Sequence, residues 1–123
     1  MVLVDTSVWI SHFRNTHQGL AELLNAGEVV CHPFVIGELA CDNLANRTTI
    51  ISLLEALPLA SAATPEEVLI FIEAQHLMGK GLGYIDVHLL AAALLNGVSL
   101  WTLDVKLGKA AGRLDCRYRS AGI

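Results

Sequence analysis

Short apolar runs, each followed by a stretch of helical periodicity, recur along this 123-residue chain. Val2 to Val4, Glu28 to Cys31 and Val98 to Leu103 read as buried strands. Leu59 to Ser61 and Cys116 to Tyr118 are candidates for two more. Strands separated by helices require crossover connections, which are right-handed and leave a parallel sheet covered on both faces. The predicted fold class is therefore α/β, a three-layer α/β/α sandwich around a central parallel sheet, in one domain spanning residues 1–123.

The helix signals agree with that order. One helix is expected from Thr6 or Ser7, and another over Leu20 to Ala26, stopping at Gly27. Pro33 suits the first turn of a third, and Asn46 can cap the segment RTTIISLLEAL. Thr64, Pro65 and Glu67 combine a cap, a first-turn proline and a capping-box acid, predicting a helix to about Met78. The glycine-rich GKGLG loop follows. It lacks the G-x-x-x-x-G-K-[ST] pattern of a phosphate-cradling loop, so its glycines serve a tight turn. Asp86 to Leu95 is predicted helical, closed by Asn96-Gly97, and a short helix follows Asp104.

No apolar stretch approaches the ~18–20 residues of a membrane span, and the N-terminus does not resemble a secretory signal. A cytoplasmic protein is expected. Cys31, Cys41 and Cys116 are odd in number and form no C-x-x-C pair, which predicts reduced core thiols. The five histidines, His12, His17, His32, His76 and His88, are scattered without a ligand spacing and are expected on surfaces or helix faces. Trp9 and Trp101 belong to hydrophobic runs and are expected in the core or an interface.

A net charge of −4 argues against a protein that coats nucleic acid through overall charge. Yet six of the eight basic residues (Lys80, Lys106, Lys109, Arg113, Arg117 and Arg119) fall in the last 44 positions, so a local basic surface is compatible with the sequence. A solvated helix face is the commoner use of such residues.

Four acids stand out against the apolar background. Asp5 ends the VLV strand and Asp104 follows SLWTL, so both lie at the carboxyl edge where α/β folds place ligands. Asp86 opens the helix in GYIDVHLLAA, and Glu38 sits among apolar residues in VIGELA. Each has a simpler explanation: Asp5 as a helix cap, Asp86 as a complement to a helix dipole. Together they suggest a divalent cation, because converging carboxylates repel until one is bound. Oxygen ligands suit Mg²⁺ or Mn²⁺. Without these four, the remaining eight acids balance the eight bases.

At these residues the sequence resembles the PIN-domain ribonucleases, specifically VapC-type toxins of toxin–antitoxin pairs. The matching stretches are VLVDTSVWI, VIGELA, GYIDVHLLAAALLNG and LWTLD, in order over essentially the whole chain. The resemblance implies a parallel sheet of about five strands and an acidic pocket holding Mg²⁺ or Mn²⁺. It implies endonucleolytic cleavage of RNA, a cognate antitoxin and a homodimer. Asp5, Glu38, Asp86 and Asp104 match the family's acidic quartet as metal-holding and catalytic residues. Thr6, Ser7 and Thr102 match hydroxyl positions that line the pocket. Leu103 departs from the pattern, standing where relatives often carry a basic residue.

Two other classes compete. A receiver-like phosphoaspartyl module expects a second acid beside Asp5 and a lysine just after a later strand; DTS supplies no such acid, and Lys106 follows Asp104 in a poor context. A non-enzymatic binding module would use the acids only to hold the sheet edge together, and would fold without metal or nuclease activity.

Overall fold

The computed structural model describes residues 1–119. Ten elements follow in chain order: β1 (Val2–Val4), α1 (Thr6–Arg14), α2 (Gln18–Asn25), β2 (Val29–Val30), α3 (Pro33–Ala40), α4 (Arg47–Glu55), α5 (Pro65–Gln75), α6 (Tyr84–Asn96), β3 (Ser99–Trp101) and α7 (Val105–Arg113). The fold is α/β with a parallel sheet, as the alternation of patterns predicts.

The strands order as β2-β1-β3, with β1 in the centre. Val2 and Leu3 pair with Val29 and Val30, while Val2, Leu3 and Val4 pair with Ser99, Leu100 and Trp101. Leu3, Val4 and Leu100 are fully buried, and the core gathers around them from α1, α3, α6 and α7 through Val8, Leu39, Leu89, Leu90 and Leu107. A central strand buried on both faces has no use for alternating polar residues, which is why VLV reads as a continuous apolar run.

The expectation of about five strands is not met; three are present among the described residues. At the two outer positions the chain makes only single parallel bridges, Cys31 to Leu59 and Leu100 to Arg117. Two backbone hydrogen bonds flank each bridge, Cys31 N–H to Pro58 and Ala60 N–H to Cys31, then Leu100 N–H to Cys116 and Tyr118 N–H to Leu100. Pro58 cannot donate to a ladder, and Gly112, Leu114 and Asp115 turn the chain out of α7 immediately before the second bridge, so neither segment extends into a strand.

Several boundaries also move. Helix α5 ends at Gln75 rather than Met78, because His76 takes a left-handed conformation (φ 54°). Asn46 precedes α4 but is itself left-handed and makes no side-chain cap. Helix α6 starts at Tyr84, so Asp86 lies in its first turn rather than at its opening. Cys31 and Cys116 are buried free thiols as expected, whereas Cys41, at the C-cap of α3, is exposed. No helix among the described residues is long and apolar enough to cross a membrane.

Candidate active site

Strand order creates the site. The chain leaves β1 toward β2 on one side and later crosses to β3 on the other, so the connections diverge at the carboxyl end of the central strand. Crevices at such a reversal are where open α/β sheets bind ligands. Asp5 is the first residue beyond β1, and Thr102 the first beyond β3.

Asp5 is only 6% exposed, and the structure surrounds its carboxylate with donors. Thr6 N–H donates to Oδ1 at 2.8 Å. Ser7 Oγ and Thr102 Oγ1 both donate to Oδ2, at 2.7 and 2.6 Å. The two hydroxyls are themselves oriented: Leu103 N–H donates to Ser7 Oγ and Asp104 N–H donates to Thr102 Oγ1, each at 3.0 Å. Backbone donors thus occupy the hydroxyl lone pairs and leave each O–H directed at Asp5. A buried carboxylate is costly unless hydrogen-bonded, and here a small network from two elements meets that requirement. Asp5 also occupies the N-cap position of α1, so the capping role and the site role coexist in one side chain.

The other acids are tied to this centre in different ways. Thr6 Oγ1 donates to Glu38 Oε1 at 2.7 Å, so one threonine links Asp5 on its backbone N–H to Glu38 on its hydroxyl. Asp86 accepts from Gly83 N–H at 2.9 Å, which fixes the side chain across the first turn of α6. Burial raises its pKa; the Gly83 bond opposes that, and the nearby charges of Asp5 and Asp104 add to the rise. Asp104 caps α7, accepting from Leu107 N–H at 2.9 Å. Asp5 and Glu38 are thereby joined through Thr6, and Asp86 lies within electrostatic reach of Asp5 and Asp104. Among the described residues, no three His, Cys, Asp or Glu side chains are gathered closely enough to hold a metal ion between them. Each carboxylate is instead engaged by its own cap or hydroxyl.

The donor set is nevertheless all hard oxygen, three aspartates and a glutamate with threonine and serine hydroxyls around them, which matches Mg²⁺ or Mn²⁺ in chemistry. A shallow apolar groove of about 340 Å³, lined by Pro33, Phe34, Gly37, Glu38, Cys41 and Ile85, runs past Glu38.

Two residues near this edge depart from the sequence reading. His32 and His88, expected on surfaces or helix faces, are both buried. His32 caps α3, its Nδ1 accepting from Phe34 N–H at 3.0 Å. The His88 ring packs edge-on against Phe34 and Tyr84, with centroids 4.7 and 4.6 Å away, and its centroid lies 6.5 Å from that of His32. His32 Nε2 and both His88 ring nitrogens are buried without a partner. Burial, aided by the neighbouring His88, pushes the His32 pKa down to about 4. A histidine just before Pro33 is the one available signal, since it marks a capping position ahead of a first-turn proline.

The PIN domain family matches residues 2–113. Ribonuclease VapC32 of Mycobacterium tuberculosis is similar to the chain, in strain CDC 1551 / Oshkosh and in strain ATCC 25618 / H37Rv. Each is 46% identical over 112 residues, 90% of this chain and 90% of the relative.

Proposed function

The chain belongs to the PIN-domain family, among the VapC-type proteins, and from that premise we propose that it is a divalent-metal-dependent endoribonuclease, the toxin of a toxin–antitoxin pair. The observation that carries this reading is the Asp5 centre: a buried carboxylate at the crossover crevice, held by oriented hydroxyls, whose charge reaches Asp86, as does that of Asp104. A carboxylate whose only task was to cap α1 would not call for donors from Thr102 on a different element.

Asp5, Asp86 and Asp104, with Glu38, are the residues that would hold Mg²⁺ or Mn²⁺. When bound, such an ion lowers the pKa of a water and neutralises charge on the phosphate oxygens. The chain's own contribution is positional. Ser7 and Thr102 fix Asp5, and Thr6 fixes Glu38 relative to it. Gly83 N–H fixes Asp86 across the first turn of α6.

The wider reading is one PIN-like domain over residues 1–123 in a three-layer sandwich, acting on cytoplasmic RNA as a homodimer restrained by an antitoxin. A basic side chain of the antitoxin would occupy the acidic crevice, because a guanidinium satisfies carboxylates bidentately and competes with the cation. The fully buried central strand supports cover on both faces of the sheet.

The test is cleavage of single-stranded RNA by protein freed of any partner. Cleavage is expected with Mg²⁺ or Mn²⁺, to stop with a chelator and to return when the ion is restored. Cleavage that survives chelation overturns the metal-dependent reading.

A further inference from the structure

Helix α7 leaves the acidic crevice at its Asp104 cap and divides its side chains sharply. Leu107, Gly108, Ala110 and Ala111 are buried, while Lys106, Lys109 and Arg113 share the exposed side. At spacings of three and four residues these cations line one helical face, running about 10 Å from the acidic edge at 1.5 Å per residue. The loop before α6 supplies Lys80. Together the four line a cavity of about 330 Å³ with Ala110 as its apolar wall.

This is a formed surface rather than a row of splayed lysines. Gly81, with φ +74°, lies against Lys106 so closely that a Cβ there would stand 2.7 Å from both Cδ and Nζ. Arg113 Nη2 donates to the Gln75 carbonyl at 3.2 Å, which holds the guanidinium at the far wall. The single ion pair among the described residues joins the N-terminus to Glu28, so no described carboxylate neutralises any of these four cations. Lys80 lies in the loop that leads into α6, whose first turn carries Asp86, and the other three lie on α7, which Asp104 caps. The same two elements thus bring cations and carboxylates to neighbouring stretches of chain.

We infer that the cavity of Lys80, Lys106, Lys109 and Arg113 holds backbone phosphates of the RNA strand, guiding it along α7 toward the carboxylates; this rests on the ribonuclease reading above. A chain of net charge −4 repels a polyanion at long range, and its acidic crevice repels the phosphate that must enter it. Concentrated cations beside the crevice offset that repulsion and fix the direction of the strand. Lysine ammonium groups fit this role as compact point charges, while the tethered guanidinium gives one fixed anchor. An acidic protein segment is the competing occupant. It is disfavoured because cations spaced along a helix match a regular backbone charge, and no aromatic side chain lines the cavity to anchor a peptide.

The experiment compares the whole protein with Lys80→Gln, Lys109→Gln and the Lys109→Gln/Arg113→Gln pair, using Arg14→Gln on a different face as the charge control. Binding of a fluorescent mixed-sequence single-stranded RNA is followed in chelator across a salt series, with thermal melting to verify folding. Removing one phosphate-binding cation should flatten the log–log salt dependence by about 0.7 and weaken binding several-fold, and the pair should flatten it by about twice as much. Arg14→Gln should leave the slope near wild type. A wild-type slope in folded Lys80→Gln and Lys109→Gln overturns the inference, as does an equal loss in Arg14→Gln. Unchanged RNA binding with weakened binding of an acidic peptide assigns the cavity to the protein partner and equally overturns it. Wild-type protein that binds RNA with the predicted slopes but never cuts it refutes the ribonuclease reading and leaves the phosphate site standing.

Discussion

Replacing Thr102 with valine removes the 2.6 Å donor from Asp5 and leaves a buried carboxylate short of one hydrogen bond. A charge-assisted bond of this kind contributes roughly 1.5–3 kcal/mol, so Thr102→Val should lower the urea midpoint by a matching amount. The same substitution should reduce RNA cleavage, because Asp5 loses the group that orients it. Asp86 responds in the opposite sense. Its folded-state pKa is raised, so its ionised form is disfavoured by folding at neutral pH and stability from this group increases as pH falls through the carboxylate range. Asp86→Asn keeps an acceptor for Gly83 N–H while removing the charge, and should raise the melting temperature of metal-free protein while abolishing cleavage. A melting temperature below wild type, with the fold intact, would show that the charge is not a burden in the folded state.

At the scale of elements, helix caps make the sharpest predictions. Thr64 and Glu67 form a complete capping box at α5, through Glu67 N–H to Thr64 Oγ1 at 3.1 Å and Thr64 N–H to Glu67 Oε1 at 2.9 Å. Thr64→Ala should therefore cost about 1 kcal/mol. His32 caps α3 only while its Nδ1 is unprotonated, because a proton there would face the Phe34 N–H. Its pKa is about 4 when folded and 6.5 in its ordinary state, so its stabilisation is complete above pH 6.5 and is lost as pH falls toward 4. The loss is of order 3 kcal/mol. His32→Asn retains a capping oxygen without titrating, and chemical denaturation from pH 7 to 4 should show a visibly flatter decline than wild type. Equal declines would place the acid sensitivity in other groups. These elements also mark what is legible in the sequence. The box at Thr64 is local, with cap and acid three positions apart, and pattern alone locates it. The burial of His32 depends on Phe34 and on His88 in another helix, and no local spacing announces that. Pattern overstates the outer strands for a related reason: Leu59 and Arg117 have the right neighbours, but Pro58 and the turn after α7 leave each a single bridge. Of the site, the positions of Asp5 and Asp104 at the sheet edge follow from the strand pattern. The hydroxyl network through Ser7, Thr102 and the N–H groups of Leu103 and Asp104 arises only when β1 and β3 become neighbours.

The whole molecule joins a buried parallel sheet to an edge crowded with negative charge, and it leaves apolar surface uncovered. Trp9, Phe13, Leu24, Ile50, Leu53 and Leu57 line a groove of about 290 Å³, and Leu53 is 64% exposed. A groove of this character suits a partner, so light scattering at micromolar concentration should report a dimer or a complex with antitoxin; a homogeneous monomer would count against self-association. The central claim is that the carboxylates around Asp5 hold the ion on which RNA cleavage depends. The most direct measurement titrates Mn²⁺ calorimetrically into wild type and Asp5→Asn, with RNA cleavage assayed on the same preparations. Wild type should bind the ion and cut, whereas folded Asp5→Asn should bind it far more weakly and cut about 100-fold more slowly or less. Cleavage at the wild-type rate by Asp5→Asn, or undiminished Mn²⁺ binding in that variant, would contradict the claim.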